Sequence, residues 1–254
     1  MSGRLTTGGF AGASLLLAGL AWGGARLAAA AVVAPLPLDA VAVAQLQVQA
    51  STGQDLQAST ALAIQARAGN GMAQRAWGLV LLKIGSQTEG MHWLHAAAAQ
   101  GDATAQVALG KNYLHGSPPF LRDYAQARHW LGLASQQHNA AAAYYLGVLY
   151  ANGYGVPADP SQAFGWFKVA AQHGQAAALF MLANAYRNGN GVRADFAKAL
   201  AALEAAAEQE HPQANQTLAM AYQHGEMGLR SDPEKAAHYM AETAHALKHP
   251  PLEP

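Results

Sequence analysis

The chain has 254 residues, of which 52% are hydrophobic but only 8% aromatic, a balance that suits helices filled with alanine better than strands of aromatic and β-branched side chains. Fifteen lysines and arginines cancel fifteen aspartates and glutamates, which leaves no basic stripe of the kind a nucleic-acid binder needs. With no cysteine, disulfides, thiolate metal sites and a cysteine nucleophile are excluded.

The first seven residues carry Arg4, and Phe10–Ala25 is uncharged and mostly apolar. Small residues follow at A-x-A spacing, Ala28 to Ala30 or Ala29 to Ala31. Residues 1–35 therefore read as a secretory signal peptide or, if uncleaved, as an N-terminal membrane anchor over Gly8–Ala25 with Arg26 at its end. Either reading places the rest of the chain outside the cytoplasm, in the periplasm or cell envelope, with membrane contact only through this segment. Residues 36–53 read as a linker or short helix, and Gln54–Ala68 as a cap helix with apolar residues at helical spacing.

From Gly69 the chain repeats. The expected starts of alternate helices are Ser86, Asp123, Asp159, Asp195 and Asp232, at steps of 37, 36, 36 and 37 residues. Seven residues on from each lie Trp93, Trp130, Trp166, Ala202 and Tyr239. Fifteen on lie Gly101, His138, Gly174, Glu210 and Leu247, at or near the helix ends. The preceding helices align through Trp77-Gly78, Leu109-Gly110, Leu146-Gly147, Leu182-Ala183 and Leu218-Ala219, four of them followed by Tyr113, Tyr150, Tyr186 and Tyr222.

Each landmark has a physical reason. Asp or Ser at a helix start accepts from unpaired N–H groups, a contribution of about 1 kcal/mol. Pro160 and Pro233 sit where a missing N–H costs nothing. Ser86 with Glu89 makes a capping box, and Gly153/Gly155 and Gly189/Gly191 permit the positive φ of a tight turn. Small residues at Gly110, Gly147, Ala183 and Ala219 allow close helix approach, while the aromatic at the tryptophan position fills space between neighbours. One hairpin cannot bury its own apolar face, so the units must stack. The units run at about 69–100, 101–137, 138–173, 174–209 and 210–247. The tail 248–254, with three prolines, is expected to be disordered.

The most regular unit, Asn139–Gly174, carries Ala142, Leu146, Gly147, Tyr150, Gly153, Gly155, Val156, Asp159, Ala163, Trp166, Ala170, Ala171 and Gly174. This pattern resembles the Sel-one-like repeat (SLR), a relative of the tetratricopeptide repeat, over about Gly69–Leu247. The resemblance implies an all-α fold, a right-handed α/α superhelix (solenoid) of about five helix-turn-helix repeats plus an N-terminal cap helix. It also implies a non-catalytic scaffold or adaptor for a protein or peptide partner, and it names neither the partner nor an oligomeric state. Some secreted members are linked to β-lactam chemistry, but they are held by cysteines that this chain lacks.

No chemistry rises from the motifs. Neither G-x-S-x-G nor S-x-x-K occurs, and the glycine pairs lack the spacing of a phosphate loop. His92/His95 and His245/His249 share helical spacing but lack a third ligand, so no catalytic residue, no metal site and no cofactor is expected. What remains is the stripe opposite the core on the first helices, which the resemblance places in a concave groove. Its candidate contacts are Lys83, Lys111, Tyr145, Val148, Met181, Asn184 and Met220, with the methionines and Tyr145 as adaptable anchors. The alternative function is an envelope enzyme, or a regulator of one, acting on peptidoglycan or β-lactam-like ligands.

Overall fold

The computed structural model describes residues 38–52, 55–116 and 118–248, all within the unit Pro35–Pro254. The signal-peptide or anchor segment and the tail after Lys248 lie outside the described residues. Among those described there are twelve helices and no strand. They pair as α1 (Ala40–Ala50) with α2 (Leu56–Arg67), α3 (Gly71–Lys83) with α4 (Gln87–Ala99), and α5 (Ala103–His115) with α6 (Tyr124–Gln136). Then come α7 (Ala140–Asn152) with α8 (Pro160–Gln172), α9 (Ala176–Asn188) with α10 (Phe196–Ala207), and α11 (Pro212–His224) with α12 (Pro233–Lys248). Each helix packs on the next in sequence, so the hairpins stack as an α/α solenoid.

The stretch 36–53 is not a linker but holds helix α1, with Asp39 as its N-cap and Val43 and Ala50 fully buried. The cap of the stack is therefore a hairpin, α1–α2, rather than a lone helix. Both α2 and α3 pack on α1, and that packing orders a segment without glycine landmarks.

Side-chain caps start most helices. Asp39, Asp55, Asn70, Asp102, Asp123, Asn139, Asp159 and Asp195 each accept from a backbone N–H in the first turn. The N–H of Gln162 on Asp159 holds that carboxyl below the usual aspartate range, the mark of an ionised cap. Ser86 departs from expectation: it is the N-cap of α4 but makes no side-chain cap bond, so the Ser86–Glu89 capping box does not form. Its backbone is at φ −82°, ψ 64°, outside the extended region that aims a cap side chain at the first turn.

The turn between paired helices has one recurring tie. The N–H of the second-helix cap donates to the carbonyl at the tyrosine position, as Asp123 to Tyr113, Asp159 to Tyr150, Asp195 to Tyr186 and Asp232 to Tyr222. In the shortened first turn Ser86 makes the same bond to Leu81, at 2.8 Å. Gly153 and Gly189 end α7 and α9 in the left-handed conformation. The second glycine of each pair does something else. A Cβ on Gly155 would meet the Tyr124 side chain at 2.5 Å, and one on Gly191 would overlap the Pro160 carbonyl, so both turns lie against the start of the preceding second helix.

The core lies one residue beyond the tryptophans. Leu94, Leu131, Phe167 and Leu203 are buried between the two helices of their own hairpin and the first helix of the next. The small residues opposite make room for them: a Cβ on Gly110 would stand 2.5 Å from Leu131, and one on Gly147 would stand 2.5 Å from Phe167. Trp93, Trp130 and Trp166 are only half-buried. Trp166 packs against the clusters on both sides of it, which is the neighbour-bridging role expected of this position.

Candidate functional site

The candidate stripe lies on the first helices of the hairpins. Nine residues after each first-helix cap stand Leu79, Lys111, Val148, Asn184 and Met220, one from each repeat. Helix α1 adds Val48 at the same offset, 72% exposed. Val48 escaped the sequence reading because its segment had been taken as linker or short helix; its offset from Asp39 was the available signal. First helices of successive hairpins touch directly, α1 with α3 and α5 with α7.

Two clefts open along this stripe. The first, about 400 Å³, is lined by Leu79 of α3, by Thr104, Val107, Ala108, Lys111 and Asn112 of α5, and by Asn139 and Ala141 at the start of α7. The second, about 250 Å³, is lined by Met181, Asn184 and Ala185 of α9 with Phe164 and Phe167 of α8, beside Ala151 of α7. Tyr145 lines neither cleft but stands beside Lys111 of the first. The Lys111 ammonium lies over its ring at 5.5 Å, His115 meets it edge-on at 6.5 Å, and Tyr144 packs against it at 5.3 Å. Val148 and Met181 pack on the same cluster around Phe167.

The structure thus brings Lys111 to Tyr145 and sets Met181 and Asn184 on one cleft, while Val148 packs on the cluster around Phe167 and lines neither cleft. Lys83, the last residue of α3, and Met220, 49% exposed on α11, belong to the stripe but line neither cleft. The surface is apolar with lysine and amide groups, and no carboxylate lines either cleft.

Between α4 and α5 is a polar contact that the spacing of His92/His95 and Tyr113 did not reveal. His95 Nε2 and the Tyr113 hydroxyl lie 3.0 Å apart in a hydrogen bond, and the His95 ring meets Trp130 edge-on at 5.4 Å. Burial, with the charge of His92 second, lowers the pKa of His95; burial and then Asp123 raise that of Tyr113. Both groups are therefore neutral at pH 7, and the pair serves as a packed joint between α4 and α5. Of the two histidine pairs expected to share a helix face, only His92 and His95 lie wholly within the described residues. His95 is held by Tyr113, His92 lies edge-on to Trp93, and His249 is outside the described residues. Among the described residues no group of three or more His, Asp or Glu side chains could hold a metal.

A second set of buried polar groups, also unforeseen, ties neighbouring hairpins. Gln74 donates to the Ala66 carbonyl and accepts from Gln100, while Gln106 donates to the Ala98 carbonyl and accepts from Gln137. Arg75 pairs with Asp102 at 3.6 Å across the same joint. The repeated Ala-Gln at 73–74 and 105–106 was the legible sign.

Comparison with known proteins gives the family and the fold. The Sel1 repeat model matches five times, at residues 73–102, 103–139, 140–175, 176–211 and 212–246, more than half of the chain. Among solved structures, a Sel1 repeat protein from Oxalobacter formigenes is 24% identical with a TM-score of 0.72, covering 81% of this chain and 85% of its own. An immunity protein from Pseudomonas aeruginosa is 18% identical with a TM-score of 0.59, covering 85% of each chain. A protective antigen of uropathogenic Escherichia coli with an SLR fold is 24% identical with a TM-score of 0.56, covering 81% of this chain and 54% of its own. No curated protein matches. Five matched repeats over residues 73–246, on a stack of paired helices, place this chain in the Sel1 repeat family.

Proposed function

We propose that this protein is a non-catalytic scaffold that holds a protein or peptide partner along the first-helix stripe. Sel1 repeat proteins are in general scaffolds for protein interaction, which supports the coarse reading. The observation that carries the finer one is the two clefts on the stripe, with Tyr145 beside Lys111 of the first. An extended segment fits such a pair, with apolar side chains entering beside Leu79 and Met181. Acidic or carbonyl groups of that segment would meet Lys111, Asn112 and Asn184. Half-buried side chains already fixed by their neighbours lose little freedom on binding, which favours affinity. From the second helices only the start of α8, through Phe164 and Phe167, adds to this lining.

The same proposal places the scaffold in the cell envelope, exported by its N-terminal segment and then either released or tethered. The support is the apolar run Phe10–Ala25 behind Arg4 and a cysteine-free sequence that folds without regard to redox state. Among the described residues no helix is long and apolar enough to cross a membrane.

A photo-crosslinking amino acid at position 181, compared with one at exposed Lys168 on α8, tests the stripe in the native cell. The expected result is one dominant protein adduct from position 181 alone. Equal adducts from both positions, or none from 181, would overturn the stripe assignment. Mass spectrometry of the mature N-terminus tests export: a start between residues 29 and 37 shows cleavage, whereas an intact start in the cytoplasmic fraction refutes it.

A further inference from the structure

The two ends of the stack are open, and they are open in complementary ways. Counted from the caps of the second helices α4, α6, α8 and α10, the eighth residue is 0% exposed at Leu94, 0% at Leu131, 4% at Phe167 and 1% at Leu203. In α12 the same position is Met240, 55% exposed. Three residues further on, Ala97, Ala134, Ala170 and Ala206 are fully buried, whereas Thr243 is half-exposed and Ala244 beside it is exposed.

What covers these positions inside the chain is always the first helix of the next hairpin, through alanine and leucine four residues apart. Ala105 and Leu109 pack with Leu94, Ala142 and Leu146 with Leu131, Ala178 and Leu182 with Phe167, and Ala214 and Leu218 with Leu203. Those pairs lie three and seven residues after their caps. Helix α1 carries the same pair at the same offsets from Asp39, Ala42 and Leu46, and both are only half-buried. Among the described residues no second helix precedes α1.

We propose that copies of this chain associate head to tail, with α1 of one copy docking on α12 of the next as an ordinary first helix docks on the second helix before it. The junction continues an interface that the fold already builds four times. Covering the face leaves no polar group stranded, since the Thr243 hydroxyl already donates to the Tyr239 carbonyl at 2.8 Å. No charge opposes it from the other side, because α1 contains no charged residue. A heterologous contact of this kind does not close on itself, so the product is a row whose length depends on concentration. Such a row would carry the partner-binding stripe from copy to copy, although the inference stands without that reading.

The test is the mass of the full-length chain across a dilution series, by light scattering, in a mild detergent that keeps the N-terminal apolar segment from driving association. The unaltered chain should rise past the dimer mass with concentration. Met240→Glu and Ala42→Glu, each on an exposed or half-exposed site, should separately hold it at the monomer, with thermal melts confirming that both fold. Mixed in equal amounts, the two variants retain one intact head and one intact tail between them. The mixture should therefore reach the dimer and stop. A monomer at every concentration, association unchanged by Met240→Glu, or a mixture no heavier than its parts would each overturn the proposal.

Discussion

The joints between early hairpins are built differently from those between later ones. Where α2 meets α3 and α4 meets α5, buried glutamines hydrogen-bond across the joint, joined by Arg75–Asp102 and His95–Tyr113. Where α6 meets α7 and α8 meets α9, Ala143 and Leu179 take the glutamine position, and the glycine turns close on the preceding helix instead. A polar joint fixes register through directed bonds, each worth about 0.5–1.5 kcal/mol. An apolar joint depends on shape, and its weak points are the large core side chain and the glycines that let backbone approach backbone. The same repeat thus fails in different ways at its early and its middle joints, and the last joint returns to a buried polar group, Asn215, at the glutamine position.

The largest effect should follow from emptying an apolar joint. Phe167→Ala removes the ring that fills the gap over Gly147 and should cost about 3–5 kcal/mol in chemical denaturation, with no gain from added polar contacts. Next is Gly191→Ala, where positive φ and the Pro160 carbonyl both oppose a Cβ. A loss of about 2–3 kcal/mol is expected by the same measurement, against near neutrality for Gly165→Ala, whose surroundings are open. In the polar region Gln106→Ala removes two hydrogen bonds, to the Ala98 carbonyl and from the exposed Gln137 amide, and should cost about 1–3 kcal/mol. Gln106→Ala costing nothing would collapse the distinction between the two kinds of joint.

Acid should weaken both regions through one histidine each. Burial lowers the pKa of His95 in the early joint and of His211 in the late one, where the neutral Nδ1 caps α11 at 3.3 Å from the Ala214 N–H. Because the unfolded chain takes up protons at the ordinary value of 6.5 and the folded chain only below it, stability is full above that pH and falls as pH drops through the folded values. Melting temperatures at pH 5 and pH 8 check the sign, and His211→Asn should remove the late region's share. The smallest effect runs the other way. His138 and Glu210 hold φ of 60° and 56° at helix ends where Gly101 and Gly174 stand in other repeats, so Glu210→Gly should stabilise by about 0.5–1 kcal/mol.

The parts of this structure that repeat were legible in the sequence, because caps, glycines and leucines recur at a fixed step and each states its role. Helix α1 was legible only as one of two options, linker or short helix, since its valines and leucine fall two apart at 41 and 43 and again at 46 and 48, a pattern closer to a strand than to a helix face. Contacts with α2 and α3 decide its form, and no local pattern records them. Gln74 and Gln106 were hidden for a related reason: glutamine in a first turn looks solvent-facing until the preceding helix is laid against it. Of the candidate site, the stripe itself could be drawn from period alone, whereas the pairing of Lys111 with Tyr145 depended on how α5 and α7 lie together.

The central claim, that function sits on the face the repeat motif leaves free, is tested most directly by the affinity of the captured partner for a Lys111→Ala/Tyr145→Ala double variant. Both side chains are half-buried and Tyr145 packs against a core cluster, so binding is compared well below the variant's own melting temperature. Binding should weaken by about tenfold or more, the loss of a central aromatic and its cation, while Lys168→Ala on the second-helix face leaves it unchanged. Full affinity in the double variant, with binding lost instead at Lys168, would contradict the account.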